Sequence, residues 1–421
     1  MTSALNCPEA DPAQAAATAA AALRAAFAPG GADPYPALVA LRAAAPVHYD
    51  EGVGTRFLTR FEDCQAVLAD PGFVVPDRSW LVRERPEWLG YPAADFFYSS
   101  LLGTNADAHA RLRRPLAGAF GVRRVAALTA GVEKLGEELL DRFADATSDG
   151  GAADFQELVG YPLPVAVVGE LIGVPREEQG QFQRLGRGAA RLLEPVRTED
   201  DWARADAAVA ELREYFAGLL RERRARPAED LASALAARPG AAGPALTERE
   251  SADLLLLVLV AGFETTAGLL GLSVFALLTH PEQLALLRAD PALLPGAVEE
   301  SLRWDGPVLM TERLAAEPVR VGGVPVPAGG SVTTVLGAGN RDPQRYPDPD
   351  AFLVRRPDVR VLSFGAGPHY CLGAALARLE GVVLLERLLA RFPALGLAGP
   401  PVRRDSASLR SFDHLPLVTT G

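Results

Sequence analysis

Between Thr247 and Leu278 the chain carries an apolar stretch too long for a strand and too apolar for a surface. Thr247 and Glu250 have the spacing of a capping box, in which a hydroxyl and a carboxylate each take an otherwise orphaned N–H. The pattern beyond them predicts a helix over Ser251–Leu278, about 45 Å from its cap at 1.5 Å per residue. Apolar over most of its circumference, such a helix has to be enclosed by protein. Its most apolar run, 254–263, meets Glu264 well short of the roughly 20 residues that a bilayer span needs. No membrane association is expected, and a cytoplasmic protein is.

The middle of this helix, "AGFETT", breaks the pattern. Gly262 costs about 1 kcal/mol of helix propensity, and Glu264, Thr265 and Thr266 bring polar groups into a dry core. A buried threonine can return its hydroxyl to the carbonyl four residues back. A buried carboxylate has no such local remedy and needs a partner, water or a function.

A chain of 421 residues that is 49% hydrophobic is large enough to form the enclosing core. Its net charge of -11 argues against a general nucleic-acid or anionic-membrane binder. Helical periodicity also runs over 125–143, 202–224, 281–287, 293–303 and 372–392, with short β-like pieces at 320–329 and 331–337. The expected fold is mainly α with a small β component: a flexible segment over 1–30, then a single domain over 31–421. A loop carrying a short helix is expected over 225–247.

The cysteines are Cys7, Cys64 and Cys371, too scattered for a CxxC site and odd in number, which suggests a reducing compartment. Cys371 closes "FGAGPHYC" and precedes the apolar stripe Leu372, Leu376, Leu379 and Val383. A thiolate there gains from the positive helix end and from free N–H groups, and Gly365, Gly367 and Gly373 allow something flat to approach closely. Taken alone, a lone cysteine is more often a small hydrophobe. Zinc would want further ligands, and only His369 is near. A nucleophile would want a general base that the five histidines do not persuasively supply. Axial ligation of a haem iron needs one sulfur only.

Phe364-Gly365-x-Gly367-x-His369-x-Cys371-x-Gly373 resembles the haem-binding signature of the cytochromes P450, and "AGFETT" resembles their oxygen-activating helix motif. "EESLRW", with Glu300 and Arg303, is similar to the family's Glu-x-x-Arg, and "RDPQRYPDPDAF" to the segment whose arginine, here Arg345, completes that buried network. "HARLRR" from His109 resembles the haem-contacting helix. The resemblance covers nearly the whole chain and points to the soluble bacterial type. It departs at Phe263, where a smaller or polar residue is frequent, at Glu264, where part of the family has aspartate, and at the 105–108 run before His109.

The resemblance implies haem b (iron protoporphyrin IX) bound through Cys371, with Phe364, Gly365, Ala261 and Gly262 against the macrocycle and His109, Arg113, Arg313 and His369 at its propionates. Glu264 and Thr265 are the implied proton-delivery pair. Electrons are expected from a ferredoxin and its NAD(P)H-dependent reductase, docking on a basic face that includes Arg113, Arg114, Arg123, Arg124 and Arg378. The implied reaction is O2-dependent hydroxylation or epoxidation of a bulky hydrophobic small molecule, plausibly a secondary-metabolite intermediate such as a polyketide or terpenoid. Coupling, desaturation and successive oxidation use the same residues, and a non-catalytic haem ligand-binding protein is the remaining alternative. Family pocket positions correspond to Trp80, Trp88, Phe96, Phe97 and Leu192 on one side. Leu257, Val258, Phe263, Val308, Leu309 and Phe412 supply the rest. A monomer is expected.

Overall fold

The computed structural model describes residues 12–28, 33–194, 198–237 and 246–419. Helices dominate. In chain order they begin with α1 (Pro12–Ala26), α2 (Tyr35–Ala44), α3 (Phe61–Ala69), α4 (Arg78–Glu84), α5 (Pro92–Ser99) and α6 (Ala106–Ala117). Next come α7 (Val122–Ala127), α8 (Thr129–Ala146), α9 (Pro162–Ile172), α10 (Gln179–Ala189), α11 (Glu199–Ala225) and α12 (Leu231–Ala236). The last are α13 (Glu248–Thr279), α14 (Pro281–Ala289), α15 (Leu294–Trp304), α16 (Leu336–Asn340) and α17 (Ala374–Arg391).

The 32 residues of α13 span about 48 Å. Its cap is the predicted box: Glu250 donates its N–H to Thr247 Oγ1 at 3.1 Å, while the Thr247 N–H donates to the Glu250 carboxylate at 2.8 Å. By length and composition α13 could cross a bilayer, but it is buried inside the protein. Two large apolar clusters meet on it. One joins it to α8, α9, α15 and α17, the other to α5, α10, α11 and α12. The segment expected to be one helix over 125–143 is divided at Leu128 into α7 and α8.

The β component is small. Strands β1 (Val47–Asp50), β2 (Thr55–Leu58), β3 (Phe73–Val74), β5 (Thr311–Ala315) and β8 (Ser331–Thr334) form a sheet ordered β1-β2-β8-β5-β3, in which only β2 and β8 run parallel. Between β5 and β8 lies the hairpin of β6 (Val319–Val321) and β7 (Val324–Val326). Near the carboxyl terminus β12 (Pro416–Val418) pairs with β4 (Ala153–Asp154) and β9 (Gly396–Leu397), and β10 (Val402–Arg403) pairs with β11 (Phe412–His414).

The amino terminus corrects one expectation. Of the segment 1–30, residues 1–11 and 29–30 lie outside the described residues, but α1 is no loose arm. Ala19, Ala22, Leu23 and Ala26 pack with Tyr35, Leu38 and Leu41 of α2, because an alanine-rich face lets two helices approach closely. The expected loop over 225–247 does contain a short helix, α12, with residues 238–245 outside the described set.

Candidate active site

From Leu254 to Val274 every residue of α13 is buried except Ala261, Gly262 and Thr265. Residues 261 and 265 are one helical turn apart and 262 adjoins them, so the three share a face. A single window therefore opens from the middle of the core helix. Thr265 Oγ1 donates to the Ala261 carbonyl at 2.9 Å, and Thr266 repeats the arrangement on Gly262 at 2.8 Å. The back-bonding expected of a buried threonine is thus present, and it leaves the lone pairs of Thr265 Oγ1 free to accept. Gly262 is required by packing, since a Cβ there would lie 2.6 Å from Val168 Cγ2 of α9.

Glu264 lies just beside the window and is 2% exposed. The cation that reaches it is Arg404, whose Nη1 is in direct contact with Glu264 Oε1, although neither carboxylate oxygen accepts a hydrogen bond among the described residues. Arg404 is itself buried, and loss of solvent lowers its pKa. Sequence reasoning missed this residue: it sits 140 positions downstream, next to a short strand, with no local pattern to mark it.

The cysteine loop is closed by three backbone bonds: Gly365 N to Leu362 O at 2.7 Å, Tyr370 N to Gly367 O at 3.1 Å and Cys371 N to Phe364 O at 2.9 Å. Gly365 and Gly367 have φ of 68° and 65°, a region that suits glycine, and Gly367 presses against the backbone of Leu68 and Ala69. Cys371 keeps an exposed face although protein surrounds the thiol on its other sides. That enclosure raises its pKa, opposed by a bond from the Gly373 N–H and by Arg113 and Arg378.

Four cationic or protonatable side chains converge beside this loop. His109 and Arg113, one turn apart on α6, both reach it. The rings of His109 and His369 lie 4.2 Å apart, and Arg113 Nη2 donates to the Tyr370 carbonyl at 2.8 Å. Arg313, on β5, is 6% exposed and, among the described residues, donates to Thr311 Oγ1 and the Glu312 carbonyl. Burial lowers its pKa to about 10. His369 is pushed down to about 3 by burial and then by His109, Arg313 and Arg113. His109 Nε2 is buried and has no partner, and Arg313 makes no ion pair among the described residues. Two guanidiniums and two imidazoles gathered here, with Arg313 and His109 buried, call for anionic oxygens from outside the chain. The residues present fit a haem: these four side chains would hold its propionates, and the Cys371 sulfur would be its ligand. The α6 helix is held in register by Arg111, whose two Nη atoms grip Glu250 at the start of α13.

The buried ion-pair network has Glu300 and Arg303, both without exposed surface. The expected third member is corrected. Arg345 instead donates to Asp358, and the guanidinium that joins Glu300 belongs to Arg356, whose Nε lies 3.1 Å from both carboxylate oxygens. Between the two arginines the chain passes through turns, with Asp348 at φ 47° and the Ala351 N–H donating to the Asp348 carbonyl, and Arg356 is the one buried against Glu300.

The expected pocket residues fall into two groups. Trp80, Trp88 and Phe97 are partly buried around Tyr98, with Trp88 continuing to Trp202 of α11. Val308 is also partly buried and forms a backbone bridge with Leu409. Phe96, Leu192, Leu257 and Val258 are buried in the cluster of α11 and α13. Leu309 packs with Tyr35 and Phe57, and Phe412 with Phe275. Phe263 is corrected as a wall of the window: it is 200° around α13 from both Ala261 and Thr265 at 100° per residue. It packs on Tyr161, Val165 and Gly186 instead, and a Cβ at Gly186 would collide with its ring.

A family model described as Cytochrome P450 matches residues 83–398. The chain is 38% identical to 6-deoxyerythronolide B hydroxylase of Saccharopolyspora erythraea over 92% of its own length and 96% of the relative's. It is 39% identical to the cytochrome P450 monooxygenase PikC of Streptomyces venezuelae, covering 92% of this chain and 91% of that one. The fold matches P450BioI, solved with a hexadec-9Z-enoic acid-ligated acyl carrier protein, with a TM-score of 0.86, 31% identity and coverage of 92% and 99%. This chain belongs to the cytochrome P450 family. It is a haem-thiolate monooxygenase of the bacterial type.

Proposed function

We propose that this protein hydroxylates or epoxidises a bulky, mostly apolar secondary-metabolite intermediate of polyketide type, using O2 and electrons from a ferredoxin and its NAD(P)H-dependent reductase. The observation that carries the reading is the single window of Ala261, Gly262 and Thr265 in an otherwise buried helix, with Glu264 beside it. The aromatic side chains of α4, α5 and the turn between them suit an apolar ligand of some size. The similarity to 6-deoxyerythronolide B hydroxylase, and to the polyketide biosynthesis cytochrome P450 PksS of Bacillus subtilis, supports the substrate class.

Cys371 would hold haem b through its thiolate, and the bound group would supply an electron-rich iron suited to O–O cleavage. His109, Arg113, Arg313 and His369 would hold its propionates by charge-assisted bonds. Thr265 Oγ1, its proton committed to Ala261, accepts a hydrogen bond in the window and so holds a proton donor in place. Glu264, tethered by Arg404, carries protons from the protein interior towards that oxygen. The surrounding leucines and valines of α13 exclude bulk water.

The ferredoxin docks on the face outside Cys371. Arg114, Arg123 and Arg124 are exposed there together with Val122, and a small basic patch attracts an acidic partner even on an acidic protein. The protein works in the cytoplasm as a monomer, with the segment 31–421 as its catalytic unit. A metabolite-library screen for displacement of the iron-bound water, followed by mass spectrometry of products, tests the proposal. Apolar macrocyclic ligands should shift the spectrum and gain one oxygen. Products that gain none would overturn the reaction class proposed.

A further inference from the structure

Arg378, on the second turn of α17, makes contacts that a docking cation does not need. Its Nε and Nη2 grip the two carboxylate oxygens of Glu299 on α15, the second at 3.1 Å. The guanidinium carbon lies 4.4 Å from the centroid of the Phe364 ring, and Nη1 lies 3.4 Å from Tyr370 Oη and from the Ala374 carbonyl. Phe364 and Tyr370 are the two sides of the cysteine loop: one accepts the Cys371 N–H, and the other is its neighbour in sequence. One planar group therefore touches both flanks of the loop.

The anchor is rigid. Glu299 precedes Glu300, whose carboxylate is fixed by Arg303, Arg356 and the Leu353 N–H. The loop, by contrast, has few bonds of its own and two glycines at positive φ, so its backbone is held weakly from within. A fork of fixed geometry, seated on a rigid helix, supplies the constraint the loop lacks.

We propose that Arg378 is a positioning residue: held by Glu299, it clamps Phe364 and Tyr370 and so fixes the Cys371 sulfur where its bond to iron requires it. It is then not one of the docking cations. The proposal rests on Cys371 being the haem ligand, which the reduced carbon-monoxide band of the unaltered protein tests separately.

The experiment compares Arg378→Gln, Glu299→Gln, the double variant and Arg378→Lys as haem-loaded proteins. Each single Gln variant should raise severalfold the fraction of the reduced carbon-monoxide complex that lacks the thiolate band, and should speed haem release. The double variant should be no worse than the worse single, because both remove the same clamp. Arg378→Lys should share the defect, since it keeps the charge and loses the fork. Ferredoxin affinity should not separate Arg378→Gln from Glu299→Gln. If Arg378 is a docking charge, the signs oppose: Arg378→Gln weakens ferredoxin binding, Glu299→Gln strengthens it, and the bands stay unchanged. That result overturns the proposal. Should Arg378→Gln not retain haem, Arg378→Lys and Glu299→Gln carry the same comparison of bands and affinities.

Discussion

Arg303 and Glu300, three residues apart on α15, form a two-pronged ion pair in which neither side chain has any exposed surface. The remaining donors of Arg303 reach the carbonyls of Asn340, Pro349 and Ala351, so the pair stitches α15 to the segment that leads into the cysteine loop. Exposed helix pairs at this spacing contribute a few tenths of a kcal/mol. Here the consequence of removal is larger, because the surviving charge stays buried without its paired counter-charge: Glu300 keeps only Arg356 and the Leu353 N–H, and Arg303 only backbone carbonyls.

Replacing Glu300 with Gln or Arg303 with Ala should cost about 3–5 kcal/mol, read as a lowered melting temperature and loss of haem-loaded protein. The same measurement separates the third arginine: Arg356→Ala should be severe, and Arg345→Ala milder, since the carboxylate that Arg345 pairs with is Asp358, near the surface, and not Glu300. Equal effects would contradict the network described above.

Cys371→Ser should abolish turnover and the thiolate-type carbon-monoxide band, because a neutral hydroxyl is no substitute for a thiolate donor. Recovery of the normal band in this variant would remove Cys371 from the iron.

Thr265→Ala should leave fold and haem content intact while lowering product formed per NADPH, with the lost electrons appearing as peroxide or water. Its hydroxyl bonds only a carbonyl of its own helix, so little stability is at stake. Unchanged coupling would mean that the substrate or another hydroxyl holds the proton donor.

Phe263→Ala should destabilise by about 3–5 kcal/mol, the range for a fully buried aromatic ring, and leave the ratio of products as it was. Altered regiochemistry with near-normal melting would return this residue to the pocket wall.

The haem-free protein should lose stability on acidification in a way the haem-loaded protein does not. His369 binds its proton near 6.5 when unfolded but only at about 3 when folded, so the unfolded state holds more protons in between. Stability from this group therefore rises with pH across that window, is complete above 6.5 and is lost as pH falls towards 3. His109 is lowered in the same direction, chiefly by burial. Propionates would supply the missing counter-charge. Melting curves over this window should be steeper without haem, and His369→Gln should flatten the haem-free profile alone.

What was legible in the sequence is local or periodic. The helix expected from 372 starts at Ala374, leaving Cys371 just ahead of it, while the capping box at Thr247 and Glu250, the long apolar helix and the glycine-rich loop depend on residues within a few positions of one another and appear as expected. So does the polar break at 262–266, because helix geometry alone puts residues 261, 262 and 265 on one face. The tertiary structure decided the partners. Arg404 reaches Glu264, and Arg356, not Arg345, reaches Glu300, contacts that no spacing encodes. Phe263 adjoins the window in sequence yet faces away from it, since its direction depends on which neighbour leaves room, and Gly186 of α10 does. Whether a charged side chain is a strut, a counter-ion or a free surface group is a matter of what lies within about 4 Å of it, and that is fixed only when distant segments pack.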